Sequence, residues 1–307
     1  MAFFQPAHAA GVIERIRAEG VLRCGAAERP GFAEIAPDSG AKGVAVELCR
    51  AVAVAVLGPS GRVSFSLYEA PRTYDGVRQG SDALAFLTGG EIAEQSLAGA
   101  VLPGPNVFVS TIGVMVPAVS KARRLGDLSG ETVCLMIGSA AQRALDHAAA
   151  ALHLGIARLP FEEDVEMLDA YNAGRCDAVV GEATYLADMR QNPGVRRLES
   201  RLLPETLSAD PIIAATPQDD GAWAADVAWV IDALLLADAR DNTWTGVRES
   251  LPAQVPPGLR AGWRADVAAS AGSYGAIIRR NLTEELGLAP GPNALWPAGL
   301  LLPPAVR

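Results

Sequence analysis

Two extended, β-prone segments, Val107–Val116 and Ile212–Ala215, punctuate a chain that otherwise alternates short strands with helices. Strand–helix alternation predicts an α/β sheet. Two such segments about 100 residues apart predict a chain that crosses into a second lobe and returns, and 307 residues suffice for two cores. Apolar periodicity and stop signals predict helices over Val12–Glu19, Glu47–Leu57, Arg72–Gln79, Ala140 to about Leu152, Val165–Asn172, Thr184–Arg190, Ala222–Ala237 and Tyr274–Asn281. Short strands are predicted at Val21–Gly25, Val63–Leu67, Ala83–Leu87, Thr132–Ile137 (preceded by Leu125–Gly130) and Ala178–Val180. Trp223 and Trp229 read as core residues of the apolar helix, and the Pro-rich end Leu300–Val306 as a surface tail.

Composition and motifs exclude more than they identify. The formal net charge is −9, from 26 basic and 35 acidic side chains, opposite in sign to a nucleic-acid binder. No apolar run approaches the roughly 18 residues of a membrane span; Ala51–Gly58 and Ile231–Ala237 are of core length. His147 and His153 are six apart and cannot form an i, i+4 metal pair, while His8 stands alone near the N-terminus. Glu162, Glu163, Asp164 and Glu166 read as a solvated helix start rather than a metal site. Asn281-Leu282-Thr283 matches a glycosylation acceptor at chance level. No G-x-S-x-G, Walker loop or strand-linked G-x-G-x-x-G is present. No catalytic residue, metal or cofactor is therefore expected. One binding signal remains: strand Thr132–Ile137, then Gly138-Ser139 opening a helix, offers backbone N–H groups to an anion.

The four cysteines, Cys24, Cys49, Cys134 and Cys176, lack zinc-ligand or C-x-x-C spacing. Three pairings are open, as is a set of four buried thiols. The sequential pairing keeps each bridge within one half of the chain, where loops of that size contribute about 3.5 and 4 kcal/mol by loop-closure entropy. Ala7-His8-Ala9 looks like the small-x-small end of an export signal, without the basic and apolar regions that precede one.

Several segments together resemble the solute-binding proteins of polar amino-acid ABC transporters, especially the general L-amino-acid-binding subgroup. They are Leu22-Arg23-Cys24-Gly25, Pro37-Asp38-Ser39-Gly40 before Gly43, Leu48-Cys49-Arg50-Ala51-Val52-Ala53 and Leu128-Ser129-Gly130-Glu131-Thr132-Val133-Cys134. Tyr171-Asn172-Ala173-Gly174-Arg175-Cys176-Asp177-Ala178 continues the series. Gly272-Ser273-Tyr274-Gly275 and Gly291-Pro292-Asn293-Ala294-Leu295-Trp296 are its most specific members. The resemblance implies a two-lobed periplasmic-binding-protein type II fold with a hinge of two crossover strands. Lobe 1 would take residues 11–112 and 213–307, lobe 2 residues 113–212, and residues 1–10 would be a signal remnant or disordered. It further implies bridges Cys24–Cys49 and Cys134–Cys176, a periplasmic address, no enzymatic activity, a monomer and an ABC permease as partner.

The implied ligand site is divergent. The family's carboxylate-gripping Arg falls on Leu87, or on Phe86 with one residue gapped, in the run Phe86-Leu87-Thr88-Gly89-Gly90-Glu91. Such a grip contributes about 1.5–3 kcal/mol. The family's amino-group Asp corresponds to Glu182, its Thr run to Ser139-Ala140-Ala141, and the acid of its Gly-Phe-Asp turn to Ala45. Phe32, Phe86, Leu87, Thr88, Gly138, Ser139, Ala140 and Glu182 are the expected ligand-binding residues. A small molecule other than a standard α-amino acid follows, with Glu182 on a cationic or donor group, the Ser139 N–H on an acceptor and Phe86 on an apolar portion. The alternative is a periplasmic accessory protein, for example to a quinoprotein dehydrogenase, that keeps the fold without amino-acid binding. A cation from elsewhere, Arg29, Lys42 or Arg72, entering the cleft would restore a carboxylate partner.

Overall fold

The computed structural model describes residues 11–36, 40–69, 72–97, 99–191, 198–239, 244 and 256–304. Ala7-His8-Ala9, Pro37-Asp38-Ser39 and the last residues of the Pro-rich tail lie outside them. Helix α1 (Val12–Glu19) buries Val12 and Ile16 and leads into β1 (Val21–Ala27). A hairpin of β2 (Glu34–Ala36) and β3 (Gly40–Lys42) precedes α2 (Val44–Leu57). Eleven of the fourteen α2 residues are buried, mostly Ala and Val, so the helix is enclosed between sheet and neighbouring helices rather than lying at the surface. Then follow β4 (Arg62–Tyr68), α3 (Asp75–Gln79), β5 (Leu84–Thr88), α4 (Gly89–Leu97) and the long β6 (Val101–Pro117). The second half runs β7 (Thr132–Met136), α5 (Ala140–Ala151), β8 (Ala157–Phe161), α6 (Asp164–Asn172), β9 (Ala178–Glu182), α7 (Ala183–Gln191) and β10 (Ser200–Leu202). The chain returns through β11 (Ser208–Pro217) to α8 (Gly221–Ala239) and helices Trp263–Ala271 and Tyr274–Ile278.

The strands share one path, β4-β1-β5-β11-β6-β9-β7-β8, with β10 on β6. β4, β1 and β5 are mutually parallel, as are β9, β7 and β8. The antiparallel β6 and β11 join the two parallel blocks. β6 spans two cores: Val107, Phe108 and Val109 pack with α2, α8 and β1, whereas Ile112, Val114 and Val116 pack with β7, α5 and β9. This is the two-lobed arrangement with crossover strands that the extended segments predict.

The C-terminal motifs hold the crossover in place. Asn293 accepts from the Val109 N–H at 2.7 Å and donates to the Val109 carbonyl at 3.1 Å, while the Tyr274 hydroxyl donates to the Val107 carbonyl at 3.0 Å. All three bonds are buried, so each satisfies backbone that would otherwise be stranded where β6 leaves one core for the other. Each lobe carries one disulfide. Cys24–Cys49 ties β1 to α2 with Cα atoms 6.4 Å apart, and Cys134–Cys176 ties β7 to the turn before β9 at 5.7 Å.

Local chemistry accounts for elements absent from the sequence reading. α4 begins on Gly89-Gly90, which reads as a break, yet a reciprocal cap starts it. The Glu91 carboxylate accepts from the Thr88 N–H and hydroxyl, and the Thr88 hydroxyl accepts from the Glu91 N–H. β8 contains Pro160, tolerated because β8 is the sheet edge. The helix predicted over Tyr274–Asn281 narrows to Tyr274–Ile278 and widens into a π-type turn through Glu284.

Two aspartates of α8 give a pH signature. Asp226, 2% exposed, and Asp232 are both pushed up to about 6 by burial. A carboxyl that binds its proton more tightly when folded adds stability below the unfolded pKa near 4, and that stability is lost as pH rises through about 6. Asp226→Asn is therefore expected to gain on the order of 2 kcal/mol relative to the parent between pH 4 and pH 7. Urea unfolding at the two pH values measures this; a pH-independent difference would remove the burial argument.

Candidate functional site

The turn after β1 sets the first wall. Arg29 accepts from the N–H groups of Phe32 and Ala33 and donates its own to the Ala33 carbonyl, closing a tight loop. Gly31, at φ 70°, makes this possible, since a Cβ there would meet the Asn281 carbonyl at 2.9 Å. The loop is held against α2 by Val44 N–H to the Gly31 carbonyl and Ala45 N–H to the Phe32 carbonyl. Arg29 thus leaves the carboxyl end of a parallel strand, the usual place for ligand groups in α/β sheets.

Its guanidinium reaches across to Glu182, the last residue of β9. Nε meets one carboxylate oxygen at 2.7 Å and Nη2 the other at 3.0 Å. The Arg29 side chain is 10% exposed and that of Glu182 35%, so the pair is partly withdrawn from water. Beside it lies a cavity of about 280 Å³. Its walls are the apolar side chains Ile112, Met136, Met167, Val180, Tyr185 and Ala140, with Glu28, Arg29 and Glu182 at one side. The Tyr185 hydroxyl donates to Asp164, and burial together with this acceptor raises the phenol far above its ordinary value.

Further contacts join α7 to the first lobe. Ala187 of α7 is buried in the core of the first lobe, and Arg190 donates to the Leu286 carbonyl at 3.3 Å. Behind the ion pair, Asp210 of β11 accepts from the Gly89 N–H at 3.3 Å. Burial raises its carboxyl, while that N–H and the Arg29 charge oppose the rise.

Of the residues expected from sequence, Ser139, Ala140 and Glu182 line this cavity. Phe32, Phe86 and Leu87 do not: each is at most 2% exposed, Phe32 and Phe86 in the first-lobe core and Leu87 in a satellite cluster beneath α4. Phe32 packs edge-on to Phe86 at 6.0 Å and tilted on Phe108 at 4.8 Å. Thr88 caps α4. At the start of α5 the Gly138 N–H donates to the Gln142 side chain at 2.7 Å, and the Ser139 N–H points at the Met136 carbonyl at 3.4 Å. Ser139 Oγ caps the helix by accepting from Gln142 N–H. These two N–H groups thus already have internal acceptors. Ala45, where the family places an acid, is fully buried at the start of α2.

Among the three cations considered from sequence, Arg29 is the one in the cleft. Lys42 pairs with Glu285 at 2.5 Å and Glu34 at 3.5 Å, and Arg72 pairs with Asp75 at 3.1 Å. Arg29 was expected from sequence only as one of three possible cations, and Glu28, Met136, Met167 and Tyr185 were not expected as wall residues at all. Only Arg29 carried a usable signal, its position in a loop at the carboxyl end of a strand. Among the described residues no group of three metal-ligating side chains occurs, and no helix is long and apolar enough to cross a membrane.

No family model matches the chain. Curated relatives do. The general L-amino acid-binding periplasmic protein AapJ of Rhizobium johnstonii is 29% identical over 98% of this chain and 94% of its own length. The glutamate/glutamine/aspartate/asparagine-binding protein BztA of Rhodobacter capsulatus is 27% identical over 96% and 93%. Among solved structures, an ABC transporter periplasmic binding protein from Brucella ovis with glutathione bound is 26% identical, with TM-score 0.76, over 97% of this chain and all of the other. An arginine-binding protein of T. maritima shares the fold at TM-score 0.51 and 19% identity, over 77% and 97%. Over nearly its whole length the chain is thus similar to periplasmic binding proteins of amino-acid ABC transporters. These relatives are binding proteins, not enzymes.

Proposed function

We propose that this chain is a periplasmic solute-binding protein that serves an ABC importer and takes a ligand other than a standard α-amino acid. Residues 11–112 and 213–307 form one lobe and 113–212 the other, a division supported to within a few residues by the switch of β6 between cores from Val109 to Ile112. The ligand occupies the 280 Å³ cavity at the Arg29–Glu182 pair. The observation that carries this reading is that pair itself. The charged groups that would receive an amino acid's two ends are already bonded to each other. A zwitterion must break this bidentate contact before its own carboxylate gains a cation, offsetting much of what an Arg grip contributes. Glutathione in the Brucella ovis relative supports a fold that accepts more than single amino acids.

Titration calorimetry against the twenty L-amino acids and a library of amines, short peptides and aromatic acids tests the reading. Standard amino acids are expected to bind at least tenfold more weakly than the best library member. Tightest binding by a standard amino acid would overturn the ligand assignment, and silence throughout would overturn the transport role.

The same pair supports a second reading, since it bridges the lobes by itself. A protein that closes without ligand suits an accessory role toward a periplasmic enzyme, for which the ligand library would be silent. Affinity purification from the source would then recover an enzyme rather than a permease.

A further inference from the structure

We propose that the cleft selects an organic monocation, an amine or ammonium with an apolar body, which takes over Glu182 as Arg29 is released toward Asp210. The inference rests on the solute-binding reading and names the ligand class of that site.

The charge inventory comes first. Glu28 and Glu182 face the cavity with Arg29 as the sole cation among its lining residues. Asp210 lies on β11, with the Glu91 charge near enough to raise its carboxyl. Asp210 faces Ser110 across β6, and Glu182 faces Ile112, two residues further along that strand. Residues two apart on a strand share a face, so both carboxylates belong to the side of the sheet on which Ile112 lines the cavity. Glu91 uses one carboxylate oxygen in the α4 cap, and its other oxygen is buried without a hydrogen-bond partner among the described residues. Around the cavity, then, Glu182 pairs with Arg29, Glu28 shares the lining and Asp210 lies on the same face of the sheet, so carboxylates outnumber the one guanidinium among the described lining residues. A cationic ligand reduces this imbalance, a zwitterion leaves it unchanged and an anion deepens it, in a place where uncompensated charge is costly.

The exchange leaves no carboxylate newly unpaired. When the ligand's ammonium donates to Glu182, Arg29 turns to Asp210, which lies on the same face of the sheet and feels its charge. The rest of the cavity suits the body of such a ligand. Met136, Met167 and Val180 supply an apolar wall, and the bond from Tyr185 to Asp164 fixes the phenol so that its ring lines the pocket. Methionine sulfur and an aromatic ring are favourable neighbours for an alkyl or aryl cation.

A charge series on one skeleton tests the proposal: phenethylamine, L-phenylalanine and 3-phenylpropanoate, titrated at pH 7 into the wild type, with hexylamine as the aliphatic arm. Phenethylamine or hexylamine is expected to bind at least tenfold more tightly than phenylalanine, and phenylpropanoate most weakly. Glu182→Gln should lose tenfold or more toward the amine, whereas Arg29→Gln should gain affinity because the internal competitor is gone. Thermal unfolding of both variants verifies folding, and the wild-type series stands without them. Preferred binding of phenylalanine or phenylpropanoate, weakened in Arg29→Gln, would give Arg29 to a ligand carboxylate; that sinks the cation class and leaves the solute-binding reading intact. The same holds if the series is silent and a ligand without a cationic group is found in the wider library. Silence of both series and library, in the wild type and in Arg29→Gln, would sink both.

Discussion

Replacing Cys134 and Cys176 together by alanine is expected to lower the unfolding free energy by about 4 kcal/mol, and the Cys24/Cys49 double replacement by about 3.5 kcal/mol. The spans are 42 and 25 residues, and closing the longer loop removes more freedom from the unfolded chain. The bridges also join different elements. Cys24–Cys49 fastens the strand that leads to Arg29 onto the enclosed helix α2, whereas Cys134–Cys176 fastens β7 to the turn that leads into its parallel neighbour β9. Because the cysteines sit in separate hydrophobic clusters, the two losses should add within about 0.5 kcal/mol. Urea unfolding of the oxidised parent and the two alanine pairs provides the measurement. A loss below 1 kcal/mol in either pair would show that the bridge is incidental to stability.

Much of this architecture is legible in the residues. Alternation in Val63–Leu67, the Ala/Val run of α2 and the strand-Gly-Ser-helix passage at Thr132–Ala151 all report period and punctuation, which are local properties. The crossover was visible because two extended stretches about 100 residues apart interrupt the strand–helix alternation. The site was less visible, and β5 shows why. Aligning a family motif onto Phe86-Leu87 places ligand residues on a strand that lies between β1 and β11. Both faces of such a strand are covered, so Phe86 goes into one cluster and Leu87 into another. Thr88, at the end of the strand, is used in the α4 cap. Arg29 had no periodic signature at all. Its role depends on meeting Glu182, 153 positions later in sequence, and that meeting exists only in the folded chain. A resemblance in sequence transfers a position; it does not transfer the direction in which a side chain points.

Gly43→Ala is expected to cost on the order of 4 kcal/mol and to release the Arg29 loop from its place at the cleft. Gly43 has φ 116°, where an L side chain is strained, so the backbone cost alone is about 1–3 kcal/mol. Space adds to it. A Cβ at this position would stand 2.9 Å from the Ala33 N and collide with the Phe32 carbonyl. These are backbone atoms and cannot rotate aside. Either the Phe32–Ala33 peptide or the start of α2 must shift, breaking the bonds from Val44 and Ala45 that hold the loop. Arg29 sits in that loop, so its reach to Glu182 is lost with them. The variant should therefore unfold at a lower urea midpoint and, where still folded, behave as Arg29→Gln does toward phenethylamine. Wild-type stability in Gly43→Ala would contradict the close approach of loop and helix, and an unaltered amine affinity at reduced stability would separate the Arg29 loop from the packing of Gly43.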